Sequence, residues 1–340
     1  MRAAIAWSIE NDRALAVQLV GAARTLLITT GLLHEGRNLT DRTEPLLSDT
    51  TPPDIAAQFW RLRIDTLQID ARDRSATAAL KAVTLLRDGD PRHRAGALFQ
   101  AIVLTSLPSA TKETLLLELR QAMEPTWPAH TRTWLLSAEA AVAWQRGDRL
   151  AARNAYQQAV DLAQSSRWRA YVATRLVATE QVMGLLDDAV KHAREAVALA
   201  RERGPSNRVL TLATLAGALI EVGQLAEARE ALVEVVALSR RAGWWRISDI
   251  ARRFVCLAAR EGRMADAARM LGFLKQLHQQ LDPLTQPNEV HLQALGEERT
   301  RAALAPDDLT RYLGEGAQLD EAAVCELGLA KKDTAPIRVH

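Results

Sequence analysis

Apolar residues recur along much of the chain at steps of three and four, with charged residues between them. The pattern is most regular in four segments: RGDRLAARNAYQQAV from Arg146, MGLLDDAVKHAREAV from Met183, VGQLAEAREALVEVV from Val222 and EGRMADAARMLGFLK from Glu261. Each opens on a residue followed by glycine, at Gly147, Gly184, Gly223 and Gly262, spaced 37, 39 and 39 residues apart. Five residues after each glycine stands Ala152, Ala189, Ala228 or Ala267. Four further on come Tyr156, Ala193, Leu232 and Leu271, and three beyond those Ala159, Ala196, Val235 and Leu274. Steps of four and three lie on one face of a helix. Alanine there lets two helix axes approach closely, and glycine supplies the left-handed turn that ends the preceding helix. A second punctuation falls between segments, at Ser165-Ser166, Gly204-Pro205 and Gly243. The helices before the last two share residues, ALARERG from Ala198 and ALSRRAG from Ala237. Each unit therefore predicts helix, glycine turn, helix, loop, and the fold class is all-α.

The glycine, alanine, aromatic, alanine order resembles the second half of the tetratricopeptide repeat. The match is close in the Gly147 unit and looser later, where Ala193 or Leu232 replaces the aromatic. The period exceeds the common value of about 34 residues, which implies longer helices, as in the repeats of large bacterial regulators. The resemblance implies a right-handed α-α superhelix, a tetratricopeptide-like solenoid of six or seven helical pairs with a C-terminal helical cap. Residues 1–130 read as degenerate N-terminal helical repeats, 131–280 as four tetratricopeptide-like repeats, 281–330 as capping helices and 331–340 as a frayed tail.

Outside the clear repeats the punctuation is weaker. Ala3 to Thr30 reads as two helices broken near Asn11-Asp12, and Gly31, Leu32 and Gly36 as a further turn. A helix starts near Gln58, SATAALKAVTLLRDGDP from Ser75 resembles a second helix, and Arg92 to Leu107 and Thr111 to Met123 form another pair. Pro125 and Pro128 mark the next loop. At the far end Pro283 and Pro287 break the last repeat helix. Asn288 to Leu304 then reads as a long helix, Pro306-Asp307-Asp308 as the start of the next, and Leu319 to Leu329 as a short final one. A solenoid needs such a terminal cap with a polar outer face.

Composition narrows the function classes. The chain of 340 residues is 48% hydrophobic and 25% charged, with eight Trp among few aromatics and a formal net charge of +2. That balance is globular and gives no global drive toward nucleic acid or anionic membrane. The two cysteines, Cys256 and Cys325, stand apart from each other and from any histidine cluster, so neither a zinc site nor a disulfide framework is expected. The longest uncharged stretch, Ala95 to Thr111, is broken by Gly96, Gln100, Ser106 and Pro108, and no secretory leader is visible. A cytoplasmic location follows as the default. His34, His93, His130, His192, His278, His291 and His340 are scattered without metal-ligand spacing. No nucleophile motif occurs, and Asp187-Asp188 and Asp307-Asp308 sit where helices start, as dipole-complementing residues do. No catalytic residue, metal or cofactor is assigned, and the chain reads as a non-enzyme.

Two terminal stretches resemble the helical-repeat region of bacterial STAND-type regulators, large transcription factors with a signal-transducing NTPase, some LuxR-like. RAAIAW from Arg2 and the Gly31 to Arg37 turn match its opening. AARMLG from Ala267, with Gly316, Leu319, Asp320 and Ala322-Ala323-Val324, matches its end. The resemblance implies a sensor that binds a protein partner or small effector in its concave groove and controls the oligomerisation of an attached NTPase, with a DNA-binding module in the same parent. The chain departs from that parent in lacking any GxxxxGK[ST] loop. A start at Met1, directly on the region's usual first helix, favours a part of a longer regulator. The other reading is a free-standing tetratricopeptide adaptor that binds a partner protein.

In the tetratricopeptide arrangement first helices line the groove. Repeat position then assigns to it Trp134, Ser137, Trp144 and Gln145 in one unit, and Tyr171, Thr174 and Gln181 in the next. Leu210 and Glu221 follow, then Asp249, Arg252 and Arg260. Trp and Arg dominate binding hot spots, although Trp at these positions also suits packing between repeats. Arg167-Trp168-Arg169 and Trp244-Trp245-Arg246 read as loops entering first helices. Arg240 to Arg263 carries seven arginines against Asp249 and Glu261, a local excess of five positive charges. That suits a solvated helix face, or a receptor for an acidic peptide, a phosphate-bearing ligand or nucleic acid.

Overall fold

The computed structural model describes residues 2–67, 71–124, 126–200, 205–244, 246–280 and 286–330. Pro125, Gly204, Trp245, Pro283 and the tail from Lys331 to His340 lie outside them. The described residues form nineteen α-helices, one 3-10 turn (Glu44–Leu46) and no strand ladder. The all-α class is therefore observed, and helix pairs of tetratricopeptide type recur along the chain.

The chain divides into two compact units, one running to Thr211 and the other from Leu212. The first begins with α1 (Arg2–Asn11), α2 (Arg13–Ala22), α3 (Arg24–Thr30) and α4 (Leu33–Thr43). It continues with α5 (Pro53–Leu67), α6 (Arg72–Leu85), α7 (Pro91–Val103) and α8 (Ser109–Ala122). Then come α9 (Ala129–Gln145), α10 (Arg149–Leu162), α11 (Ser166–Val182) and α12 (Leu186–Ala200), while α13 (Pro205–Glu221) carries the division. In the first unit α5 packs on α6, α7 on α8, α9 on α10 and α11 on α12.

The repeat glycines act as the pattern requires. Gly147, Gly184, Gly223 and Gly262 all have φ between 74° and 82°. At each, the glycine N–H donates to the carbonyl three residues back and the next N–H to the carbonyl five back. At Gly147 the acceptors are Trp144 and Ala143, both at 3.0 Å. This paired closure satisfies carbonyls that the helix end leaves open and reverses the chain. Gly31 and Gly243 close α3 and α14 (Leu225–Arg241) in the same way. Ala152, Ala189, Ala228 and Ala267 are fully buried, and the later face positions Tyr156, Ala193, Leu232 and Leu271 are buried as well.

Three sequence expectations are corrected in the first unit. The stretch before Gly31 forms three helices, because Asp12 caps α2 by accepting from the Leu15 N–H and the chain breaks again at Ala23. Gly36 is no turn: it lies inside α4, where an added Cβ would stand 3.2 Å from Thr66 and 3.3 Å from Leu27. Trp168 and Arg169 lie in the first turn of α11, whose N-cap Ser165 accepts from the Trp168 N–H at 3.2 Å.

The second unit holds α14, α15 (Ile247–Arg260), α16 (Met264–Gln280), α17 (Pro287–Ala303), α18 (Pro306–Gly316) and α19 (Glu321–Leu329). Here α17 and α19 both pack on α15, and α18 packs on α16. Every residue from Ile247 to Ala259 is consequently buried. Helices α16 and α18 meet backbone to backbone: a Cβ added at Gly316 would overlap the Arg269 carbonyl, and one at Gly272 the Leu313 carbonyl.

These two kinds of glycine should respond differently to alanine. Around Gly147 there is open space, so Gly147→Ala carries only the left-handed backbone penalty, about 1–2 kcal/mol. Gly316→Ala requires α16 and α18 to separate and should cost clearly more. Urea unfolding of the two variants tests this, and equal losses would show that the α16–α18 contact is not tight.

Candidate functional site

Helices α7, α9 and α11 are the first members of three successive pairs in the first unit. Their side chains three or four residues apart share a face, and on that face aromatic rings meet. Phe99 of α7 stacks on Trp134 of α9 with centroids 6.0 Å apart. Trp168 of α11 meets the same Phe99 edge-on at 5.5 Å and stacks on Tyr171, one turn along, at 5.0 Å. His130, one turn before Trp134, stands edge-on to it at 6.0 Å. Phe99 is buried, Trp134, Trp168 and Tyr171 are half-buried and His130 is exposed. The row thus has a packed base and an accessible flank.

The row ends in a cation. The Arg175 guanidinium lies 5.3 Å from the Tyr171 centroid, and its Nη2 donates to the Tyr171 hydroxyl at 3.0 Å. Arg175 also acts electrostatically on Lys112 of α8, a side chain only 6% exposed. The Lys112 ammonium donates to the Thr105 carbonyl at 2.7 Å. Burial pushes its pKa down to about 8, and the neighbouring Arg175 charge adds to the fall. Burial raises the Tyr156 phenol to about 12 against the pull of Arg175. The Trp168 indole N–H is buried without an acceptor among the described residues. Flat apolar faces and hydrogen-bond donors therefore dominate this face.

The sequence-assigned groove residues divide into two groups. Trp134 and Tyr171 belong to the row. Trp144 is half-buried and held at the Gly147 turn by Arg149, which lies 3.7 Å over its ring and donates to its carbonyl at 2.7 Å, while Gln145 is exposed. Of the remaining members, Leu210 and Arg260 are half-buried, and Ser137, Thr174, Gln181, Glu221, Asp249 and Arg252 are buried. Thr174 returns its hydroxyl to the Tyr171 carbonyl, and Gln181 is 1% exposed. Glu221 is buried within hydrogen-bond reach of His291, at 3.2 Å.

Asp249 and Arg252 are covered because α17 lies on α15. Arg252 donates to Gln293 at 3.0 Å, to Asp249 at 3.2 Å and to the ring nitrogen Nε2 of His278 at 2.8 Å. That last contact makes His278 Nε2 an acceptor, so its proton sits on Nδ1. Arg246 bridges Asp249 and Glu289, and Arg253 donates to the Ala213 and Asp249 carbonyls. The surrounding guanidinium groups hold Asp249 below its ordinary value despite its burial, whereas burial and the Asp249 charge push Glu289 up. Farther on, Arg263 donates to the Leu327 and Gly328 carbonyls and Arg229 to that of Leu329, closing the end of α19. The arginine-rich stretch is thus largely internal wiring of the second unit.

Phe99, Trp168, Arg175 and Lys112 escape the sequence assignment. Only the spacing of Trp168, Tyr171 and Arg175 would have hinted at one helix face. Among the described residues no cluster of metal-ligating side chains occurs, and no helix is long and apolar enough to cross a membrane.

Lys112 gives stability a pH dependence of definite sign. Its pKa falls from 10.5 to about 8 on folding, so between those values the unfolded chain holds the proton more tightly. Stability therefore rises as pH climbs from about 8 toward 10. Below that range the full cost of the buried ammonium is present, on the order of 3 kcal/mol. Lys112→Met should raise the urea midpoint near neutral pH, and the advantage should shrink in alkali. An advantage that stays constant would show that the amine titrates normally.

No family model matches the chain, and no curated protein matches it in sequence. Among solved structures it is similar to a Rap protein complexed with Competence and Sporulation Factor, at 13% identity over 88% of this chain and 99% of that one, with a TM-score of 0.45. It is also similar to aspartyl phosphate phosphatase F from Bacillus subtilis, at 12% identity over 91% of this chain and 96% of that one, with a TM-score of 0.46.

Proposed function

We propose that this chain is a protein-binding helical-repeat scaffold that docks a segment of its partner on the aromatic row of the first unit. The row itself carries the reading: rings from three successive first helices touch one another, yet Trp134, Trp168 and Tyr171 keep part of their surface open. Large, stiff aromatic side chains supply contact area at low entropic cost and concentrate binding energy. The reading assigns no catalytic step. Two free, buried thiols, Cys256 and Cys325, suit a reducing, cytoplasmic setting. The terminal stretches that resemble STAND-type regulators support placing the scaffold as the sensor region of such a protein. A GxxxxGK[ST] module in the same reading frame would favour that setting over a free-standing adaptor.

The test is a selection of displayed random linear peptides on the full chain, followed by calorimetry with the resynthesised winners. Trp134→Ala and Tyr171→Ala should each weaken binding about tenfold or more. Glu195→Ala, at an exposed position of α12, should leave the Kd within about twofold. Equal affinities in folded variants, or no enrichment at all, would remove the docking face.

A further inference from the structure

A guanidinium carries five N–H donors, and burying it without acceptors for them is unfavourable. Arg63 of α5 meets this demand, with Thr40, Asp41 and Glu44 around it. Arg61, two residues earlier on the same helix, does not. It is only 7% exposed, and its Nε donates to Gln100 Oε1 of α7 at 2.7 Å. Its Nη1 and Nη2 find no acceptor among the described residues, yet they are not sealed from solvent. Asp65, one turn further along α5, is engaged elsewhere. It accepts from Arg24 at 2.6 Å and from Gln100 at 3.2 Å, and it forms no ion pair with Arg61. Burial, helped by the Arg24 charge and opposed by that of Asp65, pushes the Arg61 pKa down to about 9.

The surroundings hold this group in place. A Cβ on Gly96 of α7 would stand 2.6 Å from Nη2 and 3.1 Å from Cζ, so glycine leaves the guanidinium its room. Gln100, one turn after Gly96, donates to the Arg61 carbonyl and to Asp65, both at 3.2 Å, which turns its Oε1 toward Arg61. Helix α7 packs on both α5 and α9. It meets Arg61 through Gly96 and Gln100, and it meets Trp134 through Phe99. The unfilled fork and the aromatic row are thus joined by five consecutive residues of one helix. We propose that Arg61 receives one side-chain carboxylate of an extended peptide segment whose apolar or aromatic residues lie along Trp134, Trp168 and Tyr171. This rests on the row being a docking face and adds the chemistry of what docks. The free Nη pair matches the two oxygens of a carboxylate. Asp65 shares a helix face with Arg61 and repels a second negative charge, which favours one acidic residue over a polyanion.

The peptides selected on the full chain supply the test. They are displayed through their C-terminus, so only side chains bring carboxylates. The winners should carry Asp or Glu within an apolar context, and changing that residue to Asn or Gln should weaken binding about tenfold. In Arg61→Met the same peptide change should lose most of its effect, the signature of a direct pairing. Gly96→Ala keeps the charge but pushes the guanidinium aside, and should shrink the effect likewise. The atoms it displaces are the far end of a flexible side chain, so its fold should survive. Circular dichroism and urea unfolding check both variants. Winners that need Trp134 but carry no acidic residue would overturn the carboxylate receptor while leaving the docking face in place. So would an acid-to-amide penalty that persists in folded Arg61→Met or Gly96→Ala. Preferential binding of single-stranded oligothymidylate, which also stacks on aromatic rings, would overturn the receptor too. Failure of any peptide to enrich would overturn both readings.

Discussion

The left-handed glycine that closes each repeat's first helix is the constraint from which the rest follows. It fixes where the helix stops, because the paired N–H contacts to carbonyls three and five residues back cannot be made one residue earlier or later without a side-chain penalty. It also sets the distance to the buried alanine five residues on, and so the depth at which the second helix packs. Counting back from the glycine then gives equivalent places on successive first helices. Thirteen residues before it stand Trp134, Tyr171, Leu210 and Asp249 in turn. One repeat position thus passes from aromatic to aliphatic to charged, and the aromatic part falls within the first unit.

This explains what could be read from the chain and what could not. The glycine register, the alanine face and the four helix pairs are local features, written within some twenty consecutive residues, and the structure follows them closely. The binding row is different. Phe99 meets Trp134 and Trp168 only through packing between helices far apart in sequence. Trp168 was further disguised by Ser165-Ser166, which reads as a loop although Ser165 is the N-cap of α11 and Ser166 its first residue. Serine serves turns and caps equally well, so the residue type alone does not distinguish them.

The arginine-rich stretch shows the complementary limit. Its local excess of positive charge suggests a surface, because nearby sequence holds few carboxylates. The compensating groups arrive from elsewhere: Glu289 and Gln293 on α17, and the carbonyls at the end of α19. A guanidinium tolerates burial when its planar fork of donors is filled, and the capping helices fill it. Residues expected along an open groove, Asp249 and Arg252, therefore lie under α17. The cap is not merely a polar cover, since it supplies the acceptors that let α15 be buried along its length.

The contrast with Lys112 follows from the same energetics. A side chain that exists only to fill space would be apolar there, since the flanking Leu115, Leu116 and Leu119 of α8 already are. Retaining an ammonium at a depth where burial lowers its pKa to about 8 carries a standing cost. Arg63 and Arg263 recover that cost from carboxylates within the chain, whereas Lys112 has one carbonyl and a cationic neighbour. The deficit is relieved by loss of the proton, which is why stability rises as pH climbs from about 8.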